Sequence, residues 1–362
     1  MKEIDLIYRT MFAELDQRTL DGSFEAAFAV TGNFVKVRVK ERDYWYFNDP
    51  KATPVRRYVG PVDDGEISKR VNEFRSIKND LRARRKLVAT LTREAGLPAP
   101  ERMTGDVVEI LERAGLFRLR GVLVGTVAFQ TYSAYLGVRL PGALMQTSDA
   151  DFAQFHSISA AVEDSLPPVG DLLMQLDPTF RPVPHRDGGP RSTKYANATG
   201  YKVEFLTPNR GSDDNVDKPA VMPALGGASA EPLRYLDFLI FDPVRTTMLH
   251  RSGVSVRVPS PQRFAVHKFI VASARLDDAN GQAKRDKDVR QARLLFEAMA
   301  LTRRQDDLAE AFAEAWQRGA HWRSSITRGM SFLSPADRAE VLDVLNAGLV
   351  SLGQTLSDLP NA

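Results

Sequence analysis

Two aspartates separated by one residue, Asp149 and Asp151, stand in the stretch TSDADF, 24 residues after a Gly125-Thr126 step that ends the apolar run Gly121–Val124. Alternate side chains of a strand share a face, so this spacing projects both carboxylates side by side while Ala150 turns to the core. Ionised carboxylates so close repel each other, and their pKa rises unless a cation sits between them. Hard oxygen donors with room for water suit Mg²⁺ or Mn²⁺, bound through one or two carboxylates together with substrate phosphates. With a third carboxylate on a neighbouring strand, such a pair can clamp two metals for an in-line phosphoryl displacement. Gly125 has no side chain and lets the backbone approach a triphosphate. The helix expected to follow points free N–H groups and its positive dipole end at that place, and Thr126 adds a hydroxyl.

Other chemistries are excluded. There is no cysteine, which removes thiol nucleophiles, disulfides, iron–sulfur clusters and zinc ribbons. The five histidines (His156, His185, His250, His267 and His321) show no zinc-type spacing. Neither GxSxG nor GxxxxGK[ST] occurs. A composition of 43% hydrophobic and 26% charged residues is that of a globular protein, and a net charge of +3 indicates no general affinity for nucleic acid. Without an apolar signal segment or membrane-length apolar run, a soluble cytoplasmic protein with no membrane partner is expected.

The elements that must position these residues are legible in the hydrophobic pattern. Strands are expected at Gly121–Val124, Thr147–Phe152, Tyr201–Leu206, Leu233–Phe241 and Val254–Val258. Helices are expected at Val107–Ala114, Val127–Leu136 and Phe155–Ser165, and in a segment opened by Pro261 that carries Phe264, His267, Lys268 and Arg275. The Gly-, Pro- and Asp-rich stretch between Leu206 and Leu233 reads as a long loop. From Lys284 to Leu352 the spacing is helical, with a break near Phe332–Pro335. Upstream, a helix over residues 1–30 leads to strands in FVKVRVKERDYWYF, closed by Arg57–Pro61, and then to a charged helix from Gly65 to Glu94. Gly96–Pro100 reads as a linker, which divides the chain into 1–95, a central domain 96–275 and a helical region 276–362. Between Arg56 and Arg93 there are eleven Lys or Arg against five Asp or Glu. That excess suits either a solvated helix face or a phosphate-contacting surface. Tyr44, Trp45 and Tyr46 suit either a core or a base-stacking platform.

The pattern VGTVAFQTYSAYLGV…TSDADF…YKVEFLTP…LRYLDFLIFDP…VRVPSPQRFAVHKFI…KRDKDVRQA resembles the DNA polymerase β-like nucleotidyltransferase superfamily, in a bacterial branch similar to its minimal and toxin-type members. Gly-Thr stands where the superfamily usually has Gly-Gly or Gly-Ser. The resemblance covers roughly residues 105–300. It implies an α+β fold whose palm is a mixed sheet flanked by helices, joined here to an N-terminal sheet-and-helix module and a C-terminal helical region. It also implies transfer of a nucleoside monophosphate from ATP or another NTP to an acceptor hydroxyl, with Mg²⁺ or Mn²⁺ held by Asp149, Asp151 and a third carboxylate. Glu204 is the favoured third ligand and Asp237 its competitor. Gly125 and Thr126 would meet phosphates; Lys268, Arg275, Lys284 and Lys287 would balance their charge. The acceptor is left open between an RNA such as tRNA and a small-molecule or protein hydroxyl. A palm that binds without turnover is the rival reading.

Overall fold

The centre of the molecule is a mixed sheet whose strands are gathered from between Val122 and Leu233. A computed structural model describes residues 1–22, 32–39, 41–48, 56–145, 147–161, 165–186, 188–189, 191–209 and 218–355. The N-terminal part contains β1 (Lys2–Glu3), α1 (Leu6–Gly22), β2 (Asn33–Val39), β3 (Arg42–Asn48), β4 (Arg56–Pro61) and α2 (Gly65–Arg93). Next come α3 (Arg102–Ala114), β5 (Val122–Val124), α4 (Gly125–Leu136), β6 (Val138–Arg139), β7 (Asp149–Ala153), α5 (His156–Ala161) and α6 (Val169–Leu176). They are followed by β8 (Arg181–Val183), β9 (Lys194–Ala196), β10 (Lys202–Pro208), β11 (Ala220–Val221), β12 (Ser229–Leu233), α7 (Leu236–Leu239), β13 (Val244–Met248) and β14 (Val254–Val258). Helices α8 (Pro261–Ser273), α9 (Ala279–Leu301), α10 (Gln305–Gln317), α11 (Ala320–Ser331) and α12 (Pro335–Ser351) complete the described chain.

The main sheet runs β11-β12-β10-β7-β5, with the β8–β9 hairpin on the other half of the β10 edge. β7 is antiparallel to β5 and parallel to β10, and β10 is parallel to β12. This is the expected α+β architecture with a mixed sheet. One hydrophobic core extends from Val107 on α3 to Leu349 on α12, so the C-terminal helices share the core of the sheet. A second cluster joins Ile4, Phe12 and Leu15 to Val88, Leu91 and Leu97, so the expected linker at Gly96–Pro100 is packed through Leu97. Local signals set the ends of several elements. Gly137 closes α4 in the left-handed conformation, Asp278 caps α9 by accepting from the Gly281 amide, and Ser334-Pro335 opens α12.

Three sequence expectations are corrected. The apolar run Leu233–Phe241 is not a strand: β12 ends at Leu233 and Asp237 lies on the short helix α7. Short apolar runs satisfy either periodicity, and here a Tyr235 with φ of +65 breaks the extended chain. The stretch before it is not a single loop, since it contributes β11 and β12. Helix α8 stops at Ser273, which leaves Arg275 beyond its end. Residues 23–31, part of the expected N-terminal helix, lie outside the described residues.

In the N-terminal module Trp45 is buried with Phe34, Phe47 and Val71 and donates to Ser68 Oγ at 3.0 Å, so it is core. Tyr44 and Tyr46 take the opposite face of that sheet by strand alternation. The basic helix α2 is also mixed in character. Arg82 and Arg85 are exposed, but Arg84 is buried, its Nε 3.2 Å from Asp80 Oδ2. Asp80 also accepts from Arg18 of α1 at 3.3 Å, so this charge clasp ties α1 to α2. Arg84→Ala should therefore cost on the order of 2 kcal/mol, less than the ~3–5 of a fully buried pair because Asp80 keeps some water. Arg82→Glu and Arg85→Glu should stay within about 0.5 kcal/mol. Urea melts of the three variants check this.

Candidate functional site

Strand register assembles the acidic corner. Val124 of β5 lies opposite Asp151 of β7, Asp151 opposite Glu204 of β10, and Glu204 opposite Lys194 of β9; Asp149 lies opposite Lys202. Directly paired residues point to the same face. Lys194, Glu204 and Asp151 thus form a row across three strands, with Asp149 in the next row. The residues between them, Ala150, Phe152, Val203 and Phe205, face the core, where the Phe152 and Phe205 rings stack at 5.9 Å. Alternation puts an anchored apolar layer directly behind three carboxylates.

Gly125 begins α4 immediately after β5, with φ of +68, and an added Cβ would come within 2.5 Å of Asp151 Oδ2. Two constraints meet here: a backbone conformation that L side chains avoid, and a carboxylate pressed on the place a side chain would take. Thr126 follows on the first turn of the helix. At the other aspartate, Thr147 Oγ1 donates to Asp149 Oδ1.

Electrostatically the corner is crowded. Burial, then repulsion from Asp149 and Glu204, pushes the Asp151 carboxyl up to about 8, with Lys268 and Lys194 pulling the other way. Lys194 Nζ stands 3.1 Å from Glu204 Oε2. Burial and the charge of Lys268 hold Lys287 below the ordinary lysine range, and Asp149 and Asp288 oppose that shift. His267 is pushed down to about 3 by burial and Lys268, so it is a neutral imidazole at pH 7. Cations from β9, α8 and α9 thus surround carboxylates from β7 and β10.

Of the residues singled out in the sequence, Asp149, Asp151, Glu204, Gly125 and Thr126 come together. Lys268 and Lys287 border them through their charges. Lys268 Nζ is 2.5 Å from Asp288 Oδ1 and Arg275 Nη2 2.8 Å from Asp288 Oδ2, so this buried carboxylate clamps both cations. Although burial works against it, these two charges and their hydrogen bonds hold Asp288 below the usual carboxylate range. Lys284 is exposed on α9. Asp237 stands apart from the corner: its carboxylate pairs with Arg318 Nη1 at 2.5 Å on the α10 side. Sequence reasoning missed Lys194, because a three-residue strand carries no readable period and its partner is set by tertiary pairing.

Three carboxylates on one face, one of them shifted far upward by burial and by the charge of the other two, fit a divalent cation through hard oxygen donors. Elsewhere, the ligand-type atoms of Asp106, Glu109 and His250 lie within 4.8 Å of one another. There, however, Arg251 reaches Asp106 at 2.6 Å and Glu109 at 3.2 Å, and His250 Nε2 lies 2.7 Å from Asp106 Oδ1. This group is an internally neutralised ion-pair network between α3 and the β13–β14 hairpin.

A family model described as nucleotidyltransferase matches residues 102–317, from the start of α3 to the end of α10. No curated protein matches the chain. No solved structure matches it either.

The shift at Asp151 has a definite sign. A carboxyl whose folded pKa lies above its unfolded value is protonated in the native state between about 4 and 8. Its contribution is intact below the unfolded value and is lost as pH rises through the folded one. In chelator-treated protein, Asp151→Asn should therefore be more stable than wild type at pH 8.5, by ~1 kcal/mol or more, and melt at a higher temperature. The gain should disappear near pH 4. Thermal melts across that range measure it.

Proposed function

The chain belongs to the nucleotidyltransferase family, and on that premise we propose that it transfers a nucleoside monophosphate from an NTP to an acceptor hydroxyl, releasing pyrophosphate. The observation that carries this reading is the row of Glu204 and Asp151, with Asp149 beside it, set against the Cβ-less Gly125 at the start of α4. Likeness to the polymerase β-type palm supports it, since the strand–Gly–helix step precedes an Asp-x-Asp strand in the same order.

Asp149, Asp151 and Glu204 would hold divalent metal, Mg²⁺ or Mn²⁺, which supplies Lewis-acid polarisation of the phosphoryl group and charge neutralisation. The chain's own groups do the rest. The first amides of α4 and the Thr126 hydroxyl are placed to donate to phosphate oxygens. Lys268 and Lys287 bring positive charge beside the carboxylates, where the triphosphate's negative charge has to be met. The acceptor oxygen would attack the α-phosphorus, the bond from that phosphorus to the α,β-bridging oxygen would break, and pyrophosphate would leave with that electron pair. Glu204 would take the acceptor proton. RNA is the acceptor class we favour, because Arg82 and Arg85 of α2 present exposed charge outside the palm.

Asp149→Asn should lower pyrophosphate release from an NTP at least ~100-fold, the scale on which lost transition-state charge stabilisation is felt. Glu204→Gln should do the same, and Asp237→Asn should leave the rate within about twofold, as expected for an exposed ion pair. A coupled pyrophosphate assay with each NTP, Mg²⁺ and total RNA reads all three. Loss with Asp237→Asn alone would refute the assignment of Glu204.

A further inference from the structure

Glu204 does not face the aspartates alone. The β8–β9 hairpin lays β9 antiparallel along the first half of the β10 edge and sets Lys194 opposite Glu204, while β12 occupies the second half of that edge. The hairpin is pinned. Ser192 Oγ donates to the Val183 carbonyl at 2.9 Å and accepts from the Lys194 amide at 3.3 Å. Tyr195, the next residue, is buried edge-on against Phe205. These contacts fix the Lys194 backbone where its Nζ meets Glu204 Oε2 at 3.1 Å, and its charge is felt as far as Asp151. Lys268, the other cation acting on Asp151, is bonded to Asp288 instead. Lys194 is thus a cation in direct contact with the acidic row.

We propose that Lys194 is a positioning residue that serves as the resident counterion of the third carboxylate. It holds Glu204 in line with Asp151 and neutralises that side of the corner. In the free protein one divalent cation would then be held by Asp149 and Asp151. A second cation is admitted when a triphosphate brings its own oxygen ligands and negative charge. The inference rests on the nucleotidyltransferase reading of the same corner and adds to it an order of loading set by the β8–β9 hairpin.

The test is Mn²⁺ binding to the full chain without nucleotide, followed by electron paramagnetic resonance and equilibrium dialysis, together with pyrophosphate release in the presence of NTP. Wild type should bind one ion. Lys194→Met and Lys194→Gln should each bind a second ion, or bind the first about tenfold more tightly, because a competing cation is gone. Both variants should also show a reduced kcat with little change in KM for the NTP. Lys194→Arg should restore the wild-type stoichiometry. Melting curves establish that each variant is folded, and the Gln variant, which keeps a polar head, covers the case in which Met disturbs the hairpin. If the folded Met and Gln variants bind Mn²⁺ with wild-type number and affinity, Lys194 is not the counterion and the proposal fails while the nucleotidyltransferase reading stands. If wild type binds no Mn²⁺ and Asp149→Asn leaves pyrophosphate release unchanged, the reading of the corner itself falls, and this inference with it.

Discussion

Repulsion among three carboxylates gathered at one corner of a sheet is the constraint around which the central part of this chain is arranged. The register of β7 against β10 forces Asp151 and Glu204 side by side, and the two-residue period of β7 adds Asp149. Positive charge is brought against that crowding from several elements: Lys202 of β10 opposite Asp149, Lys194 on the added hairpin, Lys268 on α8 and Lys287 on α9. Even so, Asp151 stays far above its ordinary pKa. A cation bound at the corner, as we propose, would relieve that shift.

Asp288 shows how finely the compensation is divided. Its carboxylate, 3% exposed, takes both Lys268 and Arg275, so two cations and one anion leave a single positive charge facing the acidic row. A buried acid between two bases is costly to assemble and more costly to break. It also fixes α8 against α9 at the point where both border the site. Helix packing and site electrostatics are therefore one problem here, which accounts for a hydrophobic core that continues from the sheet into the C-terminal helices.

How much of this was legible in the sequence depended on whether the signal was local. Asp149, Ala150 and Asp151 announce their strand faces by alternation alone, and Gly125 follows its apolar strand directly, so the centre of the site could be read from spacing. Glu204 was legible for the same reason, inside YKVEFL. Asp237 misled because LRYLDFLIF fits a strand and a helix equally, and the left-handed Tyr235 that decides the matter has no composition signal. Trp45 read as either platform or core because alternation gives two faces without saying which is covered. The pairings Lys194–Glu204 and Lys268–Asp288 were invisible, since each depends on which strands or helices become neighbours.

The acidic corner and the Asp106–Glu109 cluster differ in the kind of counterion they hold. Around Asp106 and Glu109 the counterions include arginines: Arg251 spans both carboxylates, and Arg113 lies 2.5 Å from Glu109. Planar guanidinium forks match carboxylates through paired bonds and keep their charge at any physiological pH, so an incoming metal would have to displace several well-directed contacts. Around Asp149, Asp151 and Glu204 the counterions are lysines, which act as point charges on flexible stems and are more easily moved aside. One of them, Lys287, is already held below its ordinary pKa. Lysine counterions thus set the corner between β5, β7 and β10 apart as the place we propose to exchange a cation and a phosphate, whereas the arginine network holds its carboxylates in directed pairs.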